Sequence, residues 1–131
     1  MDWDYRPRYY GWHGELISQD QWINLMEHTD RHVAEDCFTV NGVEYYVSTV
    51  LLGLDHSSFG SGPPIIFETM VFRDDLDMGQ DVAMDRYATL EQAREGHAFM
   101  VMRFKQFGDE GYGPPVPKPK KRQLLHNGRK P

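Results

Sequence analysis

Asn41-Gly42, set between two runs rich in β-branched and aromatic residues, constrains this chain more than any other feature. A two-residue hairpin of the mirror-image type needs positive φ at both central positions, which Asn followed by Gly adopts at little steric cost. The turn sets a register. Val40 opposes Val43 and Phe38 opposes Tyr45 on one face, while alternation along each strand sends Cys37, Thr39, Glu44 and Tyr46 to the other. The more apolar first face is the core face.

From this hairpin the rest of the chain can be read outward. Residues 43–54 continue as a long strand. IIFETMVF at 65–72 is apolar on both alternating faces, the pattern of a central strand covered on each side. Between them DHSSFGSGPP forms a long connection that uses Gly for its turns. RDDLDMGQDVAMD at 73–85 reads as an acidic loop, followed by a short strand near Arg86 to Ala88. Ser18, with Gln21 at the third helical position, closes a capping box for a helix over about 19–30, with Trp22, Leu25 and Met26 on one face and Ile23 at its margin. Thr89 caps a second helix in the same way, and Leu90, Ala93, His97, Val101 and Phe104 line its inner side at helical spacing. The segment before the first helix, MDWDYRPRYYGWHG, is kept extended by Pro7 and turns between Gly11 and Gly14. After Gly108, GYGPPVPKPKKR is Pro-rich and charged, so an extended and mobile tail is expected. The expected fold is α+β: a small antiparallel sheet of about four to five strands with two amphipathic helices packed on it. Three regions follow: an aromatic N-terminal extension over 1–17, the α+β domain over 18–108, and a Pro- and Lys-rich tail over 109–131.

Composition narrows the class. A chain of 131 residues with 40% hydrophobic and 13% aromatic side chains is able to bury one core. The N-terminus lacks the basic and apolar regions of a secretion signal and no run approaches the length of a membrane span, so a cytoplasmic protein is expected. Cys37 is the only cysteine, which leaves no disulfide within the chain and no cysteine-based zinc site. Charge is divided unevenly. Residues 113–131 hold six Lys or Arg and no acid, while residues 1–112 hold eight bases against 20 acids, so a body at −12 precedes a tail at +6. An acidic body repels phosphates, which argues against nucleic-acid binding by the folded part but not by the tail.

Two stretches carry a resemblance. VSTVLLGLDHSSFGSGPP at 47–64 runs into IIFETMVF at 65–72, and RYATLEQAREGHAFMV follows at 86–101. Together they resemble a group of small proteins carried by actinobacteria and their phages, in which an STV-x-LGLDH stretch, a Gly and Pro loop, an FETMVF strand and a last helix with Gly-His follow one another. The resemblance covers about residues 18–104. It implies an origin, phage or prophage, and brings no activity, cofactor or site residue with it.

Four residues have the chemistry of a site: Asp55 and His56 at the mouth of the Gly-rich loop, Glu68 inside an apolar strand, and His97 on the apolar face of the last helix. Carboxylates and imidazoles beside a loop can serve general acid and base catalysis. The structural alternative is that Asp55 and His56 tie down the loop while Glu68 and His97 form a satisfied contact between sheet and helix, and it is the stronger of the two. No metal or cofactor site is expected: the loop SSFGSGPP lacks the lysine and helix of a phosphate loop, and DDLDMGQD lacks the calcium-loop spacing. Trp3, Tyr5, Tyr9, Tyr10 and Trp12, with arginines beside them, have the composition of an interface or of a cover for the sheet. Lys118, Lys120, Lys121 and Arg122 make a basic cluster able to meet RNA, a membrane surface or an acidic partner, the chain's own acidic body being the nearest.

The expected function is that of a phage-type accessory protein that binds a host or phage macromolecule without catalysis, in its sharpest form as an acidic inhibitor that mimics nucleic-acid charge. The first alternative is a small hydrolase-like enzyme using the four residues above. The second is a virion or assembly component with a basic tail.

Overall fold

A computed structural model describes residues 7–56, 62–76 and 80–108 of the chain. Within them the elements run β1 (Tyr9–Tyr10), β2 (Leu16–Ile17), α1 (Gln19–His28), β3 (His32–Val40), β4 (Val43–Leu51), β5 (Phe67–Arg73), β6 (Asp81–Tyr87) and α2 (Leu90–Phe107). The fold is α+β, with an antiparallel pair β1-β2 and an antiparallel four-stranded sheet in the order β3-β4-β5-β6. Consecutive strands are neighbours throughout, as hairpin connections require.

The hairpin forms as its turn chemistry dictates. Asn41 has φ 54° and Gly42 φ 82°, and the register runs Val40 to Val43, Phe38 to Tyr45 and Cys37 to Tyr46. Both helices start on capping boxes: Ser18 accepts from the Gln21 backbone N–H, Thr89 accepts from that of Gln92, and each Gln side chain returns to its cap. The first helix stops at His28, two residues short of the expected end, because Thr29 is already extended and leads into β3.

Helix α2 lies along one face of the sheet and touches all four of its strands. Tyr45, Val47, Val71, Ala83, Met100 and Phe104 form one cluster beneath it; Tyr10, Leu51, Ile66, Phe67, Tyr87 and Ala93 form a second toward the other end. Val47, Leu51, Phe67 and Phe104 are completely buried, and each such side chain is worth roughly 1.5–3 kcal/mol of transfer free energy. Along α2 the buried line is Ala93, Gly96, His97, Met100 and Phe104, so Met100 takes the place expected for Val101, which packs at the margin.

Helix α1 sits at the Leu51 end. Leu25 packs against the second cluster, and the Trp22 indole N–H donates to the Leu52 carbonyl at 3.2 Å. The N-terminal aromatics close the same end: Tyr10 is buried, Trp12 packs 6.2 Å from the Phe67 ring, and Tyr9 lies 4.9 Å from the Trp22 ring.

Two expectations are corrected. Residues 81–87 form a full strand, not the end of a loop; Asp81 and Asp85 interrupt the apolar alternation, while Ala83 and Tyr87 face the core. Strand β5 is central, yet α2 covers only one of its faces. Among the described residues no helix or strand packs on the other. No described helix is long and apolar enough to cross a membrane. The expected mobile tail, with Lys118, Lys120, Lys121 and Arg122, and the aromatics Trp3 and Tyr5 lie outside the described residues.

Candidate functional site

Strand parity divides the chemistry of this sheet between its two faces. On the helix side, a row of polar side chains crosses the sheet beneath α2: Asp36 from β3, Thr49 from β4, Thr69 from β5 and Tyr87 from β6. His97 of α2 completes the set. Its Nε2 lies 2.7 Å from Asp36 Oδ2 and its Nδ1 2.7 Å from Thr49 Oγ1. Thr49 and Thr69 are directly opposite in the β4-β5 register, their hydroxyls 2.5 Å apart, and the Tyr87 hydroxyl donates to Thr69 Oγ1 at 3.1 Å. One arrangement of protons lets each hydroxyl donate along this row. Tyr87 donates to Thr69, Thr69 to Thr49, Thr49 to the bare Nδ1 of a neutral imidazole, and Nε2–H to the Asp36 carboxylate.

Burial decides what the row can do. Thr49 and Thr69 have no exposed surface and His97 only 5%, whereas the Asp36 side chain is about half exposed. Carboxylate, imidazole and hydroxyl stand in the order of a nucleophilic triad. The hydroxyl that would attack is sealed beneath the helix. The row therefore satisfies polar groups that the sheet and helix bury together, and it ties α2 to β3, β4 and β5 at one depth. Gly96 makes room for it, since a Cβ there would meet the Tyr87 ring and hydroxyl at 2.2 Å. Burial pushes the Tyr87 phenol up to about 12, because its charged form has no water to stabilise it.

The four residues expected to form a site do not converge. Asp55 accepts from the Ile65 backbone N–H at 2.8 Å and the His56 backbone N–H donates to the Ile65 carbonyl at 2.8 Å, so the pair clasps the two ends of the loop, as the structural alternative required. Glu68 lies on the opposite side of the sheet from His97. Its neighbour Thr69 points to the helix, so Glu68 must point away, where it pairs with Arg86 at 3.0 Å across the β5-β6 register. The expected contact between Glu68 and His97 is thus replaced by two separate ones, Glu68 to Arg86 and His97 to Asp36. Asp36, Thr49, Thr69 and Tyr87 were missed. The signal was the strand parity set by Asn41-Gly42, which puts Asp36 in line with Phe38 and Val40, and so places a carboxylate on the core face, where it needs a partner.

The open side of the sheet has another character. Cys37, Tyr46 and Phe72 make one rank across it, Glu35, Ser48, Met70 and Met84 the next, and Val50, Glu68 and Arg86 the third. The rings of Tyr46 and Phe72 stack with centroids 6.1 Å apart, and the Tyr46 hydroxyl donates to Glu35 at 2.6 Å. Partial burial pushes the Tyr46 phenol up, and its bond to Glu35 adds to the shift. Met84 is 45% exposed. An apolar centre of aromatic and thioether side chains is thus bordered by Glu35 on one side and by the Glu68–Arg86 pair on the other.

Among the described residues no group of three or more His, Cys, Asp or Glu side chains is placed to hold a metal ion. No protein-family model, curated protein or solved structure matches this chain.

Proposed function

We propose that this is a phage-type accessory protein whose open sheet face binds a basic protein partner, acting as an acidic inhibitor without chemistry of its own. The observation that carries the reading is that face: Tyr46, Phe72, Met70 and Met84 at its centre, with Glu35 and Glu44 among them and no described element over them. The charge of −12 on residues 1–112 favours a basic partner and speeds the encounter, while the stacked rings supply the contact area that holds it. The motifs at 47–72 and 86–101 support the phage origin.

Weighing against the hydrolase-like alternative is the location of its parts. Asp55 and His56 are engaged with the loop, Glu68 with Arg86, and His97 lies under the helix. The test is affinity capture from actinobacterial lysate with the wild-type chain and with Tyr46→Ser/Phe72→Ser, whose fold is first checked by circular dichroism. Proteins of basic isoelectric point, held by the wild type, lost by the variant and released by rising salt, would support the reading. Equal capture by both would refute it.

A further inference from the structure

We infer that two copies of this chain pair edge to edge through β3, antiparallel about Cys37, and so join their open faces into one continuous sheet surface. The inference goes beyond the proposed binding and does not depend on it.

The edge itself is the first argument. β3 is the longer of the two edge strands of the sheet, and among the described residues its only strand neighbour is β4. In a two-residue hairpin the residues flanking the turn exchange both backbone bonds, so Val40, Phe38 and Asp36 turn their amides and carbonyls toward β4. Glu35, Cys37 and Thr39 therefore present theirs outward. The register shift between His32 and Ala34 interrupts the strand at its start, which leaves Ala34 to Val40 as the regular edge with Cys37 at its midpoint. Antiparallel pairing about that midpoint sets Cys37 against the second copy's Cys37 and Glu35 against the second copy's Thr39. Every outward group on these three residues then meets a partner.

Charge selects this register over its neighbours. Pairing about Asp36 would set carboxylate against carboxylate across the seam, and pairing about Phe38 would carry Ala34 and Glu35 past the end of the other strand at Val40. Pairing about Cys37 puts Asp36 opposite the second copy's Phe38 on the helix side. Lys105 Nζ stands 5.7 Å from the centroid of that ring in its own chain, and the Asp36 side chain is about half exposed. Each copy's lysine is thus brought to the other's carboxylate, and these two pairs oppose the repulsion between acidic bodies.

The open side supplies the third argument. Cys37, Tyr46 and Phe72 form one rank across it, so pairing about Cys37 continues the rank into the second copy. Two stacked Tyr46 and Phe72 pairs then lie on one face with only the two exposed thiols between them.

Sedimentation equilibrium of the full chain, with Cys37 kept reduced, measures the association. The mass should rise from one chain toward two as concentration increases, and a short bismaleimide should join Cys37 to Cys37 as the main product. Thr39→Pro removes an outward amide at an edge position, where proline leaves the β3-β4 ladder intact, and should abolish the dimer. Lys105→Glu, at an exposed helix position, should raise the dissociation constant about tenfold, because each dimer loses two ion pairs. A mass of one chain at every concentration overturns the inference. So does a dimer that survives both changes, or one whose Cys37 thiols cannot be joined. A dimer lost only in Tyr46→Ser/Phe72→Ser would mean that the open faces pack on each other, and it too overturns the inference. Circular dichroism checks the fold of each variant; should Thr39→Pro fail to fold, Lys105→Glu decides with the cross-link. Capture of a basic protein does not require the dimer, so the two experiments can fail separately.

Discussion

Replacing His97 with Ala tests whether the buried row beneath α2 is what seats the helix. Three costs follow from the geometry. The Thr49 hydroxyl, fully buried and 2.7 Å from Nδ1, loses its acceptor, and a buried donor left without one costs about 1–3 kcal/mol. Truncating the imidazole opens a void, which adds roughly 1–2 kcal/mol where neighbours relax only in part. Asp36, about half exposed, turns to water and adds little. The sum is about 2–5 kcal/mol, enough to lower Tm by roughly 10–20 °C in a body of this size while leaving it folded at room temperature. Thermal melts and urea titrations followed by far-ultraviolet circular dichroism measure it. The double variant His97→Ala/Thr49→Val should fall short of the summed single effects by about 1 kcal/mol, because Thr49→Val deletes the hydroxyl that His97→Ala strands. If His97→Ala left the midpoint where it was, or if the two changes were additive, the row would not be what holds the helix. His97 would then return to consideration as a catalytic group.

Three further outcomes are expected. Gly42→Val should destabilise the fold by about 1 kcal/mol or more, since φ 82° strains a β-branched residue; an unchanged urea midpoint would contradict the hairpin geometry. Gly96→Ala should cost about 1–3 kcal/mol, because its methyl would meet the buried Tyr87 ring, and pairing it with Tyr87→Ala should recover part of that loss in the same titration. Tyr87 stays protonated in the folded state to about 12, whereas the unfolded chain ionises near its ordinary value of 10. Stability from this group is therefore complete below pH 10 and is lost as pH rises through 12, on the order of 2 kcal/mol in all. Tyr87→Phe should flatten that part of the stability profile; an identical alkaline loss in both proteins would refute the assignment.

What the sequence determined by itself was local. The Asn41-Gly42 turn, the two capping boxes and the alternation on either side of the hairpin each depend on residues a few positions apart, so they could be read directly, and the structure reproduces them residue by residue. The loop clasp by Asp55 was legible for the same reason, its partner Ile65 being 10 residues away across one connection. Strand β6 was half hidden because Asp81 and Asp85 mask an alternation carried only by Ala83 and Tyr87.

The tertiary structure alone decided which face of the sheet the second helix would cover, and with it the partners of the polar groups beneath that helix. His97 meets Asp36 across 61 residues of sequence, and no local preference of either residue encodes that meeting. Glu68 could not be assigned from its apolar surroundings, because Phe67 and Thr69 on either side of it belong to the opposite face. A strand apolar on both sides reads as doubly covered; here one side packs under α2 and the other stays open. The physical reason is that alternation reports only how apolar each face is, while a single helix of 18 residues suffices to cover one face of a four-stranded sheet, and nothing in the strand's own residues says on which side it will settle.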